Sequence, residues 1–210
     1  VSLHRFTLGG VPATPWKNGG GSTRELLCWP PGAGLEHFDW RVSVATIAAD
    51  GPFSRFPGID RHILLLEGGG VHLQGEGIDH RLATPLQPFA FSGDAALHCT
   101  RLDGTSTDFN AMARRGRGSA TVRVLQGESW ALDGATHLLL LAVRGHWRLG
   151  DEAFAAGSGV WWAGTPRSAH LVPGGGDAQL VAAGWQPAAL ASKAPPAPVQ
   201  KAQPAMKVDA

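Results

Sequence analysis

The chain is 210 residues long, enough for one large or two small domains with a sizeable core. Its formal net charge is +1 and only 17% of its residues are charged, which gives no clustered basic footprint for nucleic acid. Hydrophobic residues make up 43%, beside 29 glycines and 15 prolines, a composition that excludes a disordered chain and implies many turns.

The first segment with distinctive grammar is Trp16-Lys17-Asn18-Gly19-Gly20-Gly21-Ser22-Thr23-Arg24-Glu25. A phosphate-binding loop needs G-x-x-x-x-G-K-[ST] between a strand and a helix. Here the lysine precedes the glycines, and residues 23–29 read as a strand stopped by Pro30-Pro31. The glycine run can still expose successive backbone N–H groups to an anion, with Lys17 and Arg24 adding positive charge. The alternative is a plain loop with solvated flanks.

Next comes Phe38-Asp39-Trp40-Arg41-Val42-Ser43-Val44-Ala45, whose alternation sends Trp40, Val42 and Val44 to one face and Arg41, Ser43 and Ala45 to the other. Arg41 offers either a bidentate fork for a ligand carboxylate or a surface pair for a neighbouring acid. Asp50 to Arg61 is rich in proline and glycine and is anchored by Phe53 and Phe56; it reads as a rigid shelf or a packed connection, with one helical turn expected around 53–56. Phe91-Ser92-Gly93-Asp94 and Asp108-Phe109-Asn110-Ala111-Met112 place short acids and an amide beside aromatics. Asp108 and Asn110 share one face, where they either line a cavity or satisfy backbone groups.

Across the whole chain the apolar runs are short, several alternate, and glycine or proline punctuates almost every one. That pattern predicts an all-β sandwich or barrel. Ile63 to Leu73 and Leu138 to Leu149 echo one another: an apolar strand, a glycine turn, then an alternating strand. Two copies of one β module would produce the echo, as would hairpin grammar alone. The expected division is an N-terminal module (1–115), a C-terminal module (116–187) and a mobile Pro/Ala-rich tail (188–210) with extended polyproline character.

Other chemistries lack their signatures. The nine histidines (4, 37, 62, 72, 80, 98, 137, 146 and 170) form no H-x-H or H-x-x-x-H spacing, and no G-x-S-x-G occurs. His72 and His80 are candidates for cross-strand neighbours. Cys28 and Cys99 have no metal spacing and read as a reduced pair, with a disulfide left open. The longest apolar run, Leu138 to Val143, is too short to span a bilayer, and the N-terminus lacks a signal-like run; a soluble cytoplasmic protein without membrane contact is expected.

Taken together, WKNGGGSTRE, FDWRVSVA, DGPFSRFPGIDRHILLLEG, FSGD and TDFNAMARR resemble the HutD/Ves family in order and spacing between Arg5 and Arg115. The second half is similar only in its β pattern. The resemblance implies a double cupin-like fold, two β-barrel or sandwich modules in one compact bicupin unit. It also implies a link to bacterial histidine utilisation in a regulatory or accessory capacity, without an established reaction. The motif residues it carries over are Trp16, Lys17, Asn18 and the following glycines, Arg24, Trp40, Arg41, Phe56, Arg61, Asp94, Asp108 and Asn110. The cupin metal motif is missing, since His72 has no partner at the required spacing, so no metal or other cofactor is expected.

The expectation is therefore a binding protein. Lys17, Arg41 and Arg61 attract a small anion of the urocanate, formiminoglutamate or formylglutamate class; Asn18, Asp108 and Asn110 orient it, and Trp16 or Trp40 forms a stacking wall. The alternatives are a metal-independent enzyme with Asp94 or Asp108 as general base, and a protein-interaction module. Exposed sheet edges make a homodimer a further expectation.

Overall fold

The computed structural model describes residues 2–188. The expected tail therefore lies outside the described residues, apart from Ala188. The chain runs through β1 (His4–Thr7), a 3-10 turn (Leu8–Gly10), β2 (Ala13–Pro15), β3 (Gly21–Trp29), the one-turn helix α1 (Gly34–His37), β4 (Trp40–Ile47) and β5 (Gly51–Phe53). It continues through β6 (Ile59–Gly68), β7 (Val71–Gly75), β8 (Ile78–Leu82), β9 (Phe89–Ser92), β10 (Leu97–Arg101) and β11 (Ser106–Arg114). The second half holds β12 (Gly118–Gln126), β13 (Trp130–Ala135), β14 (Leu138–Arg144), β15 (His146–Leu149), β16 (Glu152–Ala155), β17 (Ser158–Trp162), β18 (Arg167–Pro173) and β19 (Gln179–Pro187).

These strands form four sheets. Sheet I is β2-β3-β4-β11-β6-β9 and sheet II is β5-β10-β7-β8; sheet III is β1-β17-β14-β19-β12 and sheet IV is β13-β18-β15-β16. The halves repeat one plan: β4-β11-β6-β9 corresponds to β12-β19-β14-β17, and β5-β10-β7-β8 to β13-β18-β15-β16. The echo in the sequence is thus a repeat of topology. Each half is a pair of packed sheets, sandwich-like rather than a closed barrel.

Period-two alternation decides the layering. On sheet I, Trp40, Val42, Val44, Leu64, Phe109 and Ala111 point one way; on sheet III, Leu139, Leu141, Val181, Ala183 and Trp185 point toward them, and together they make one buried core between the halves. The opposite face of sheet III meets sheet IV through Leu138, Leu140, Trp147, Val160, Trp162 and Leu171. The opposite face of sheet I meets sheet II differently. Ile47, Ile63, Leu65, Val71, Leu73 and Leu97 pack one end, while Arg41, Ser43, Arg61 and Asn110 occupy the other, all buried.

Three expectations are corrected. No helical turn forms at 53–56: Gly51–Phe53 is a strand paired with β10, and Pro57 turns Phe56 away from helical backbone. The one-turn helix is instead at 34–37. Residues 4–7, counted with the first module, pair with β17 of the second. His72 stands opposite Arg81 rather than His80, and its Nε2 contacts Asp79 Oδ1 at 2.5 Å. Cys28 and Cys99 are both free thiols, and burial raises the pKa of each, Cys99 to about 12. No helix among the described residues is long and apolar enough to cross a membrane.

Candidate ligand-binding site

The polar end of the first sandwich opens into a cavity of about 680 Å³, lined by Trp16, Lys17, Asn18, Glu25, Arg41, Ser43, Phe53, Phe56, Arg61, Asn110 and Met112 among others. Register explains the convergence. Arg41 on β4, Met112 on β11 and Arg61 on β6 stand directly opposite one another across three strands, so both guanidinium groups rise from one row on the same face. The next row holds Glu25 on β3, Ser43 and Asn110.

Arg61 is the anchor of the site. Only 3% of it is exposed. Its guanidinium carbon lies 4.7 Å from the Phe53 ring centroid, 5.2 Å from Phe56 and 5.0 Å from Phe91, a cation–π enclosure on three sides. Nη2 donates to Asn110 Oδ1 at 3.0 Å and Nη1 to the Ser54 carbonyl at 3.0 Å. No carboxylate among the described residues pairs with it. Burial, followed by the nearby Arg41 charge, pushes its pKa down to about 9, yet it stays protonated at neutral pH. Arg41 is also buried, but it donates through Nε to Glu25 Oε2 at 2.7 Å and through Nη1 to Ser43 Oγ at 3.4 Å. Because Asn110 Oδ1 is occupied by Arg61, its amide N–H groups remain to donate.

The wall opposite is Trp16, whose indole N–H donates to Thr23 Oγ1 at 2.8 Å and is thereby held in place. The glycine run carries the chain around this corner. Gly19 takes a left-handed φ of 70°, and the Gly20 N–H donates to Asn18 Oδ1 at 3.0 Å. Lys17 lines the mouth and is exposed.

The cavity brings together Trp16, Lys17, Asn18, Arg41, Arg61 and Asn110. Four other candidates lie elsewhere. Arg24 sits on the other face of β3 and donates to the Val11 carbonyl. Trp40 is fully buried in the core between the halves, because it shares the parity of Val42 and Val44; of the two tryptophans, Trp16 lines the cavity. Asp94 accepts from the Gly58 N–H at 2.8 Å, from Ser92 Oγ and from Arg115, which hold its pKa well below the usual carboxylate range; it fastens a turn. Asp108 has the expected parity but is sealed one row below Asn110, with no exposed surface, accepting from Ser106 Oγ at 2.7 Å.

Sequence reasoning missed Glu25, Met112 and Ser54 as lining residues. The alternation of Thr23 and Glu25 on β3 was a signal for the first. The other two owe their position to register and to a loop, which no local pattern encodes.

The HutD family model matches residues 10–180. Protein Ves of Citrobacter koseri is 39% identical over 161 residues, covering 76% of this chain and 83% of that protein. The solved structure of HutD from Pseudomonas fluorescens SBW25, in a formate condition, superposes with a TM-score of 0.75 at 29% identity, over 88% of this chain and 100% of that one. At the level of fold alone, a cupin 2 conserved barrel domain protein from Leptotrichia buccalis is similar with a TM-score of 0.54 at 10% identity, over 89% of this chain and 98% of that one.

Proposed function

The chain belongs to the HutD family, and on that premise we propose that it is a non-catalytic accessory protein of histidine utilisation that holds a small carboxylate-bearing metabolite between the sheets of its first module. The observation that carries this reading is Arg61, a buried guanidinium without an acidic partner. A buried charge left unpaired is costly, and a bound carboxylate would relieve that cost. Donors stand around the space in front of it: Arg41, Ser43 Oγ and the Asn110 amide, in a cavity otherwise walled by Trp16, Phe53 and Phe56. A pocket of mainly apolar lining with a few convergent polar groups is the usual form of a metabolite site.

Of the two carboxylates weighed as a general base, Asp94 is committed to a turn and Asp108 lies beneath the cavity floor. That favours a binder over a metal-independent enzyme, because a base must reach the proton it removes. The candidate ligands are urocanate, formiminoglutamate and formylglutamate. Formate, the smallest carboxylate, is a minimal probe.

Thermal-shift titration with these four compounds tests the reading. At least one should raise the melting temperature, because a ligand that prefers the native state stabilises it. Calorimetry on Arg41→Ala should show affinity weakened by about 1.5–3 kcal/mol, the range for hydrogen bonds to charged groups. Arg61→Met, which keeps an apolar stem among the phenylalanines, should abolish the response. No shift with any compound, or a response that survives Arg61→Met, would overturn the proposal.

A further inference from the structure

We infer that the connection between β3 and β4, residues 30–38, is a lid that folds Leu35 over a carboxylate bound at Arg61, an inference that rests on the binding reading above. Leu35 lines the cavity, yet it is 53% exposed. The other large apolar side chain so exposed among the described residues, Val172 on β18, is remote from the lining. An apolar side chain standing in water at the rim of a pocket gains burial when the pocket fills and closes.

Register places the lid. β3 and β4 pair out to Trp29 and Trp40, with Cys28 opposite Arg41, so the connection leaves the sheet beside the row of Arg41, Met112 and Arg61. The Asp39 N–H donates to the Trp29 carbonyl at 2.7 Å and closes the base, as in an Ω-loop. Phe38 is the anchor, fully buried with Ile59 and Met112. Arg114 donates to the Phe38 carbonyl at 2.9 Å and to the Glu36 carbonyl at 2.7 Å. The part before this anchor is held loosely. Residues 30–37 are exposed except for a half-buried Ala33, and α1 has neither a buried residue nor a side-chain cap. The Gly34 carbonyl receives a long contact from Cys28 Sγ at 3.8 Å. Gly32 and Gly34 take left-handed φ of 82° and 62°, so the segment carries two glycine joints. Trp16, another wall of the cavity, is built the opposite way. Its N–H donates to the Gly21 carbonyl, its carbonyl accepts from Gly19, and its indole is tied to Thr23. One wall is fixed and the other is free to swing. The cavity is larger than the small carboxylates proposed for it, so water stays beside the Arg61 charge while the mouth is open. Lowering Leu35 expels that water, and the attraction between guanidinium and carboxylate strengthens as the local dielectric falls. Met112 lines the cavity and packs against Phe38, which gives an occupied cavity a direct contact with the root of the lid.

The test is hydrogen–deuterium exchange on wild type, Leu35→Ser and Arg61→Met, each with and without urocanate and with and without formylglutamate. In wild type, a compound that binds should slow exchange of the amides of residues 32–36 about ten-fold or more. Residues 32–34 decide the matter, because they do not line the cavity and a static wall would leave them unchanged. Leu35→Ser changes an exposed position and should fold normally. It should lose that protection and release the compound about five-fold or more faster in stopped-flow fluorescence, with association nearly unchanged, since closure holds a ligand already bound. Binding without protection at 32–34, or an unchanged dissociation rate in Leu35→Ser, overturns the lid and leaves the binding reading standing. Protection that persists in Arg61→Met also overturns it, because the segment would then answer something other than a carboxylate on Arg61. If neither compound binds wild type, the binding reading falls and the lid falls with it.

Discussion

Arg61 and Asp108 are two buried charges on the same face of sheet I that do not pair with each other. Asn110 stands between their rows and takes the Arg61 N–H groups on its Oδ1. Asp108 is left with a Ser106 hydroxyl on one oxygen and no hydrogen-bond partner among the described residues on the other. Burial pushes its pKa up to about 6, from 3.8. The native state therefore holds this proton more tightly than the unfolded chain does. The stability so gained is complete below about pH 3.8 and is lost as pH rises through about 6. The loss amounts to about 3 kcal/mol between those limits. Asp108→Asn keeps an acceptor for Ser106 and removes the titration. Urea unfolding should find the variant more stable than wild type at pH 8 and close to it at pH 4. A constant difference at both pH values would mean that Asp108 does not titrate in this range. The parity of Arg41, Asp108 and Asn110 is legible from the sequence, because a strand has period two. That Asp108 is sealed and Asn110 open is not legible, because it depends on how far down sheet II closes.

At the scale of elements, the WKNGGG corner is a device for holding Trp16. Gly21 pairs with Ile47 where β3 begins and β4 ends, and a side chain there would collide with the Thr46 carbonyl oxygen and press the Trp16 ring at 3.0 Å. Gly21→Ala should therefore cost about 1–3 kcal/mol, as overpacking does. It should also weaken carboxylate binding, since the displaced indole is a cavity wall. Denaturant unfolding and calorimetry on one preparation check both effects; a loss of stability with unchanged affinity would detach Trp16 from the site. The sequence excludes a nucleotide loop here, because the lysine is on the wrong side and β3 follows. Trp16 rather than Trp40 becomes the wall for a reason of layers. Both tryptophans neighbour polar residues, but Trp40 shares its strand face with Val42 and Val44, which belong to the core between halves.

At the scale of the molecule, the repeat is symmetric in topology and asymmetric in filling. The second sandwich is filled by Leu140, Trp147, Trp162 and their neighbours, whereas the first buries Arg41, Arg61 and Asn110 between its sheets. The 680 Å³ cavity lies in the first half. The halves nevertheless share their most continuous core, and β1 crosses to the far sheet. Unfolding should accordingly be one cooperative transition. Leu141, 1% exposed on the shared face, should cost about 2–5 kcal/mol on truncation to alanine. Both halves should lose stability together when followed by tryptophan fluorescence and by far-UV circular dichroism. Two separated transitions would show instead that the shared core does not couple them.

The sequence by itself determined the all-β class, the echo between the halves and the side of the strand on which Arg41 and Asn110 each stand. Short alternating runs and glycine punctuation are local properties, and they survive reading without coordinates. The tertiary structure alone decided which polar face is a cavity and which is core. That outcome rests on pairings far apart in the chain. The register of β4, β11 and β6 sets the two arginines in one row. The pairing of β3 with β4 sets Glu25 opposite Ser43, in the row of Asn110. Phe53, Phe56 and Phe91 meet around Arg61 from separate elements. Such contacts follow from packing whole sheets against one another, and no window of neighbouring residues contains them.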